Sequence, residues 1–321
     1  MLADRIGAVT SAVSKSLGTS TDIANRAFDI GRVLVALAQL SLLLTTPTSN
    51  MFVPVGEQPA LARCATSWSL SAFCWAPPDL VRWLFVGALV LIVLGFAPRI
   101  TSWVHLYVAL SIVLAIDLPE GGDQAAVAIT VCIALISLSD TRYWAWSRSR
   151  EPDSFGGRLY GLSWAAHWLL RVQMAYIYLN SSISKMSVEA WQDGSAVYYV
   201  TRMEYFGVTG PLAGLMREVT AIPLLAVAAT WGTMITELAI AVLILCSRSW
   251  QRLAFILAAA LHIMIILMIG LGSFGLVMIG GVLAATSLAW NTTSFRRSAP
   301  YPDMSAPPAR SGASTTEISN G

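Results

Sequence analysis

The chain has 321 residues, of which 56% are hydrophobic and only 12% charged, with a mean hydropathy of +0.65. This composition lies outside the soluble globular range and inside that of membrane proteins, which excludes a soluble enzyme or binding module. The formal net charge of +2 comes without basic clusters interleaved with aromatics, so nucleic acid is excluded as a partner, and no Cys/His spacing suits a metal.

Residues 1–26 carry too many polar side chains for a secretory signal and are expected to form a cytoplasmic N-terminal arm; the apolar run from Phe28 reads as a retained signal anchor. Residues 27–290 predict an all-α fold, a polytopic helical bundle embedded in a lipid membrane. Only helices satisfy their own backbone groups in hydrocarbon here, because no alternating strand pattern is present. Hydropathy marks eight spans, near 27–47, 80–97, 100–118, 123–140, 160–183, 222–246, 252–270 and 272–290, most close to the roughly 20 residues that a crossing needs. The short spans between 80 and 140 are marginal singly, so the expected count is about eight, within a range of six to eight.

The loop after the first span holds Cys64 and Cys74, flanking the run ATSWSLSAF. On an outer, oxidising side they are expected to pair, and closing so short a loop contributes roughly 3 kcal/mol in the chain-entropy model. Cys132 and Cys246 sit in apolar helices and read as small buried residues. The turn from Asp117 to Gln124 carries Asp117, Glu120 and Asp123 and no positive charge, as an outer loop does. Lys and Arg accumulate on the cytoplasmic side of membrane proteins. With the N-terminus inside, that side receives Arg99, the Arg142 to Arg158 segment, Arg248, Arg252 and the basic residues of both ends. The outer loops hold Arg63, Arg82, Lys185, Arg202 and Arg217. Both termini are thus expected in the cytoplasm of a multi-pass protein of the cell membrane. Residues 291–321, rich in Ser, Pro, Thr and Ala, are expected to form a disordered cytoplasmic tail, which puts the sequon at Asn291 on the wrong side for glycosylation.

The fifth span departs furthest from a plain membrane helix. From Arg171 to Gly194 the chain reads RVQMAYIYLNSSISKMSVEAWQDG. An arginine in a hydrophobic helix costs at least about 2.5 kcal/mol on insertion scales, so Arg171 is expected to face a protein interior or a wet cavity. His167, Arg171, Met174 and Tyr178 follow one helical stripe, and Gln173, Tyr176, Asn180 and Ser184 another, together making a wet, aromatic-lined wall. Lys185 at its outer end reads either as a snorkelling interfacial cation, with Trp191 as interfacial anchor, or as a partly desolvated amine able to act as a base. Counted from the cytoplasmic helix ends, Arg171, Glu237 and His262 all lie roughly 15 Å deep, so they are expected to meet near the midplane, as a structural clamp or as a proton or substrate site. Gly270 to Gly275 matches the string GxGxxG, but it follows a membrane helix instead of a strand and reads as a tight turn with close helix packing.

The ordered set Arg171, Gln173, Tyr176, Tyr178, Lys185, Trp191 and Asp193-Gly194, with Thr236-Glu237, His262 and Phe274 downstream, resembles the HTTM domain, the membrane domain related to vitamin K-dependent gamma-carboxylase. The acidic turn and the loop with Cys64 and Cys74 resemble the SdpB-like branch of that group. The resemblance implies a factor for maturation of a secreted antimicrobial peptide toxin, with the toxin precursor and a co-encoded maturation partner as its partners. It also implies that Lys185 matches the lysine that serves the carboxylase as base toward a reduced quinone, with Arg171, Glu237 and His262 relaying protons. Ser184 stands where the carboxylase motif usually has a second lysine, and the short tail stands where the carboxylase has a large lumenal region, which weighs against carboxylation itself. Three function classes follow: peptide maturation, a quinone-linked membrane enzyme, and a transporter or immunity protein.

Overall fold

The computed structural model describes residues 23–52, 64, 70–116, 121–147, 154–203 and 211–290, with backbone alone for 154–158 and 211. The N-terminal arm up to residue 22, the C-terminal tail with its sequon, the acidic stretch 117–120, and Arg148 and Arg150 lie outside the described residues. Among the described residues the regular structure is helical, and one isolated bridge joins Phe96 to Trp144. The main helices are α1 (Arg26–Thr45), α2 (Pro78–Val93), α3 (Pro98–Ala115), α4 (Gly121–Ile136), α5 (Ser154–Lys185), α6 (Pro211–Ala221), α7 (Pro223–Leu245), α8 (Arg248–Ile269) and α9 (Gly272–Ala285).

Every hydropathic span of the sequence falls on a helix. Five of these are long and apolar enough to cross a membrane: α1, α3, α4 with its extension to Ser139, α7 and α8. Of the rest, α2 has 16 residues and α9 has 14, while α5 runs for 32 and carries Arg171 and Lys185. The local chemistry of the ends is simple. Asn25 caps α1 by accepting the Phe28 amide at 3.0 Å. Proline opens α2, α3 and α7, where its missing N–H has no helical partner to lose. Gly270 ends α8 in the left-handed region at φ 82°, so the glycine-rich string is a C-cap leading into α9.

Lipid offers no hydrophobic drive for helices to associate, so close contact between small residues does that work. Here α9 lies directly on α1: a Cβ at Gly31 would sit 2.7 Å from the Gly280 carbonyl, and one at Gly280 would sit 2.7 Å from that of Gly31. Around this seam α4, α5, α8 and α9 pack an apolar core that includes Ile129, Leu170, Met174 and Val282. A second core, with Phe52, Phe73, Phe85 and Ile112, lies between α1, α2 and α3. The Cys64–Cys74 disulfide closes the loop beside it. Leu84 and Leu91 on α2, Ile235 and Val242 on α7, and Ile256 and Ile263 on α8 are exposed, the apolar outer face that a membrane bundle presents.

Apart from the short α6, the main helices alternate in direction. At one end of the bundle Asn25 donates to the Ser287 carbonyl at 3.1 Å, Arg142 pairs with Asp29 at 2.9 Å, and Arg252 donates to the Ala289 carbonyl at 2.8 Å. At the other, Arg82 holds the last carbonyls of α1, and Ser71 donates to the Ser111 carbonyl at 2.9 Å. Described loops expected inside and outside thus fall at opposite ends.

Candidate functional site

The antiparallel packing of α5 on α7 sets the geometry. Arg171 faces Ile244, and the Ser182 hydroxyl donates to the Met234 carbonyl at 3.1 Å. Glu237 is therefore level with Tyr178, about 10 Å along the axis from Arg171. Helical side chains lean toward the N-terminus of their own helix, so Lys185, further out, reaches back down to the level of Glu237. Its Nζ donates to the two Glu237 oxygens at 2.7 and 2.8 Å and to Ser181 Oγ at 2.6 Å. Ser181 in turn donates to Glu237 at 3.1 Å. All three ammonium hydrogens have acceptors, and the Trp191 ring lies 5.2 Å away as a cation–π neighbour. The pair is half-dry: the Lys185 side chain is 20% exposed and that of Glu237 8%.

The expected meeting of Arg171, Glu237 and His262 does not occur. Arg171 donates to the Ile244 carbonyl at 2.8 and 3.2 Å and to that of Cys246 at 3.3 Å, and its guanidinium stacks 3.9 Å from the Trp168 ring. These carbonyls end α7 and have no helical donor, and a helix C-terminus attracts a cation. Equal counts from the helix ends did not mean equal depth, because α5 begins at Ser154 and extends well past the last turn of α7. His262 instead meets Tyr178, whose hydroxyl lies 2.9 Å from Nε2, with the Phe274 ring centroid 5.3 Å from the imidazole.

Lys185, Glu237, Tyr178 and His262 open onto one cavity of about 560 Å³, bounded by α4, α5, α9 and the segment from Val188 to Trp191. Gln173, Tyr176, Asn180 and Trp191 border it too, as does Gln124 from α4. Behind the ion pair lies a second, apolar cavity of about 250 Å³, walled by Ala229 of α7, Leu261, Met264 and Ile265 of α8, and Val197 and Val200. Ser181, Lys185, Trp191, Glu237 and Phe274 line both, so the Lys185–Glu237 pair is the partition between a polar and an apolar space. Beside them the turn at Gly194 has φ 85° and no room for a Cβ, which would lie 2.9 Å from Val227. The Ser195 hydroxyl and amide donate to Asp193 at 2.6 and 2.8 Å and hold its carboxyl below the usual range. Among the described residues no group of three or more His, Cys, Asp and Glu could hold a metal.

No family model matches the chain, and no solved structure does. Two proteins of Bacillus subtilis (strain 168) do. YitO, itself uncharacterized, is 31% identical over 259 residues, spanning 79% of this chain and 82% of its own. The sporulation-delaying protein SdpB is 28% identical over 258 residues, 78% of each chain. The chain belongs to the same family as YitO, and its similarity to SdpB supports an SdpB-like relationship.

Two features of the interior escaped the sequence reading. Ser181 joins the site through Lys185 four residues on, a spacing that puts the two on one helix face and was available as a signal. The pairing of Arg142 with Asp29 and Asp140 was also missed. An Asp and an Arg three residues apart, at 29 and 32 in the first apolar helix, were the clue to buried charge there.

Proposed function

We propose that this SdpB-like chain is a multi-pass membrane factor in the maturation of a secreted antimicrobial peptide, taking a segment of the precursor at the cavity beside Lys185. The observation that carries this reading is the relatedness to the sporulation-delaying protein SdpB over most of both lengths. A cavity of about 560 Å³ is of small-ligand size, so it would admit a terminus or a few extended residues of a peptide and no folded domain. Lys185 and the polar wall of α5 offer charge and hydrogen bonds to backbone carbonyls or a carboxylate, and the apolar cavity offers a place for a hydrophobic side chain. In this reading α2, α5 and α9 also cross, giving eight spans with both termini in the cytoplasm and the disulfide loop and cavity outside, as the charge distribution favours. A co-encoded partner completes the processing.

The test is mass spectrometry of the secreted peptide from cells with and without this protein. A change in mass or terminus that depends on the protein is expected; an identical peptide from both strains would sink the reading.

A second reading, base chemistry on a reduced quinone, is favoured by the ion pair itself. The polar and apolar cavities together fit an aromatic head with an apolar tail, and a bound quinone would supply the redox chemistry. Lys185 would accept a proton there after passing its own to Glu237, and Ser181 would keep the two aligned. Peptide maturation that persists in quinone-deficient cells would dismiss it.

A further inference from the structure

A second polar cluster lies away from the Lys185 cavity, inside the ring that α1, α2, α3 and α4 make by packing in turn on one another. At one end of the ring Arg142 donates to Asp29 at 2.9 and 3.1 Å and to Asp140 at 2.8 to 3.2 Å, a well-satisfied network. Further in, the bonding is incomplete. Arg32, one turn beyond Asp29, makes a single hydrogen bond, from Nη1 to Ser102 Oγ at 3.5 Å, and Ser102 donates to Ser137 at 3.0 Å. Arg32 Nε and Nη2, both ring nitrogens of His105 and both amide atoms of Gln39 find no hydrogen-bond partner among the described residues. All three side chains are fully buried.

These atoms form one layer. Both α1 and α3 run antiparallel to α2, hence parallel to each other. With Ser102 beside Arg32, His105 follows one turn outward and Gln39 another, all within about 10 Å of axis. Leu89 and Ile92 of α2 and Val108 of α3 belong to the buried apolar core that the same helices form. Buried polar groups are nearly always paired, with protein or with ordered water, and hydrocarbon offers neither. The chemistry of the layer selects among ligands. Arg32 presents only donors, whereas Gln39 Oε1 and one imidazole nitrogen present acceptors. A simple anion would meet Arg32 and the N–H groups of Gln39 and His105 but leave Gln39 Oε1 and the second imidazole nitrogen unpaired, and a cation would do the reverse. Water does both, and buried water binds where otherwise unpaired buried polar groups converge.

We propose that the α1–α4 ring holds a short file of internal water, bound by Arg32, His105 and Gln39, that extends the Asp29–Arg142–Asp140 network from the end of the bundle toward mid-membrane. This hydrated site is independent of the Lys185 cavity and of any peptide bound there.

The test uses the full chain in lipid nanodiscs and X-ray hydroxyl-radical footprinting read by mass spectrometry, in which radicals arise at bound water and mark the side chains beside it. Relative to intrinsic reactivity, His105 should be labelled at least tenfold faster than Met174, which is equally buried but lies in the apolar core. Protection of His105 equal to that of Met174 overturns the proposal. Gln39→Leu gives a second readout. Loss of an amide that binds water lowers the thermal midpoint, whereas in a dry ring the same change removes two unpaired polar atoms and leaves the midpoint unchanged or raised, which overturns the proposal.

Discussion

The Lys185 amine lies 2.7 and 2.8 Å from the two oxygens of Glu237, one helix away. Held as ammonium and carboxylate, the two form an anchor that attracts polar groups into the cavity. A single proton shift along either bond gives a free amine and a neutral carboxyl. A base at Lys185 therefore needs Glu237 as its proton store, and an anchor needs only the charge.

The pairing is measurable by a double-mutant cycle on stability in lipid or mild detergent. Glu237→Ala is expected to destabilise by about 1 to 3 kcal/mol, below the roughly 3 to 5 for a fully buried pair because Lys185 is partly exposed. Adding Lys185→Met should recover much of that loss. The cycle of Glu237 with Arg171 should instead be additive within about 0.5 kcal/mol, as for sites without shared partners. Coupling to Arg171 and none to Lys185 would contradict the geometry.

Lys185→Arg separates the two roles of the amine. Arginine keeps the charge and the reach but does not release its proton near neutral pH. The variant is expected to accumulate in membranes as the parent does and to yield no mature peptide. Full maturation at equal expression would remove the base and leave an anchoring role.

Arg171→Lys tests the other end of α5. A lysine cannot present a planar fork to two carbonyls or stack as closely on Trp168, so a loss of about 1 to 3 kcal/mol is expected from weakened charge-assisted hydrogen bonds. Because Arg171 borders neither cavity lined by Lys185, the protein that does fold should retain its activity per molecule. A variant of normal stability but no activity would show that Arg171 belongs to the site after all.

Much of the bundle was legible because hydropathy reads single helices directly, and proline and asparagine mark where they start. The wall of the cavity was legible for the same reason: Gln173, Tyr176 and Asn180 repeat at helical spacing on one element. Relationships between elements were not. Glu237 was matched to Arg171 by depth, yet the register of α5 on α7 depends on where each helix begins and on contacts such as Ser182 with Met234, which no local pattern encodes. Gly31 and Gly280 lie 249 positions apart, and only their meeting reveals why each must be glycine.

Gly280→Val places a branched side chain against the backbone of α1, where overpacking costs roughly 1 to 3 kcal/mol or more and cannot relax without separating the helices. Thermal denaturation of the purified variant should show it. Gly87→Val, on α2 where a Cβ meets nothing within 4 Å, is the control and should change little.

The disulfide predicts sidedness. If the loop with Cys64 and Cys74 is outside, an impermeant thiol reagent applied to intact cells should label both after reduction and neither before it. Labelling that requires lysis would invert the proposed orientation.

Helix α5 is 32 residues long, or about 48 Å, against a hydrocarbon thickness of about 30 Å. Ordinary tilts do not absorb that difference, so in the proposed eight-span arrangement part of the helix stands clear of the bilayer. Between Trp164 and Lys185 it contains neither proline nor glycine, the usual sources of a kink. One unbroken stretch of α5 therefore carries both Arg171, held by the last carbonyls of α7, and Lys185, held by Glu237, about 21 Å apart along the axis, so a single rigid element sets the distance between the two contacts.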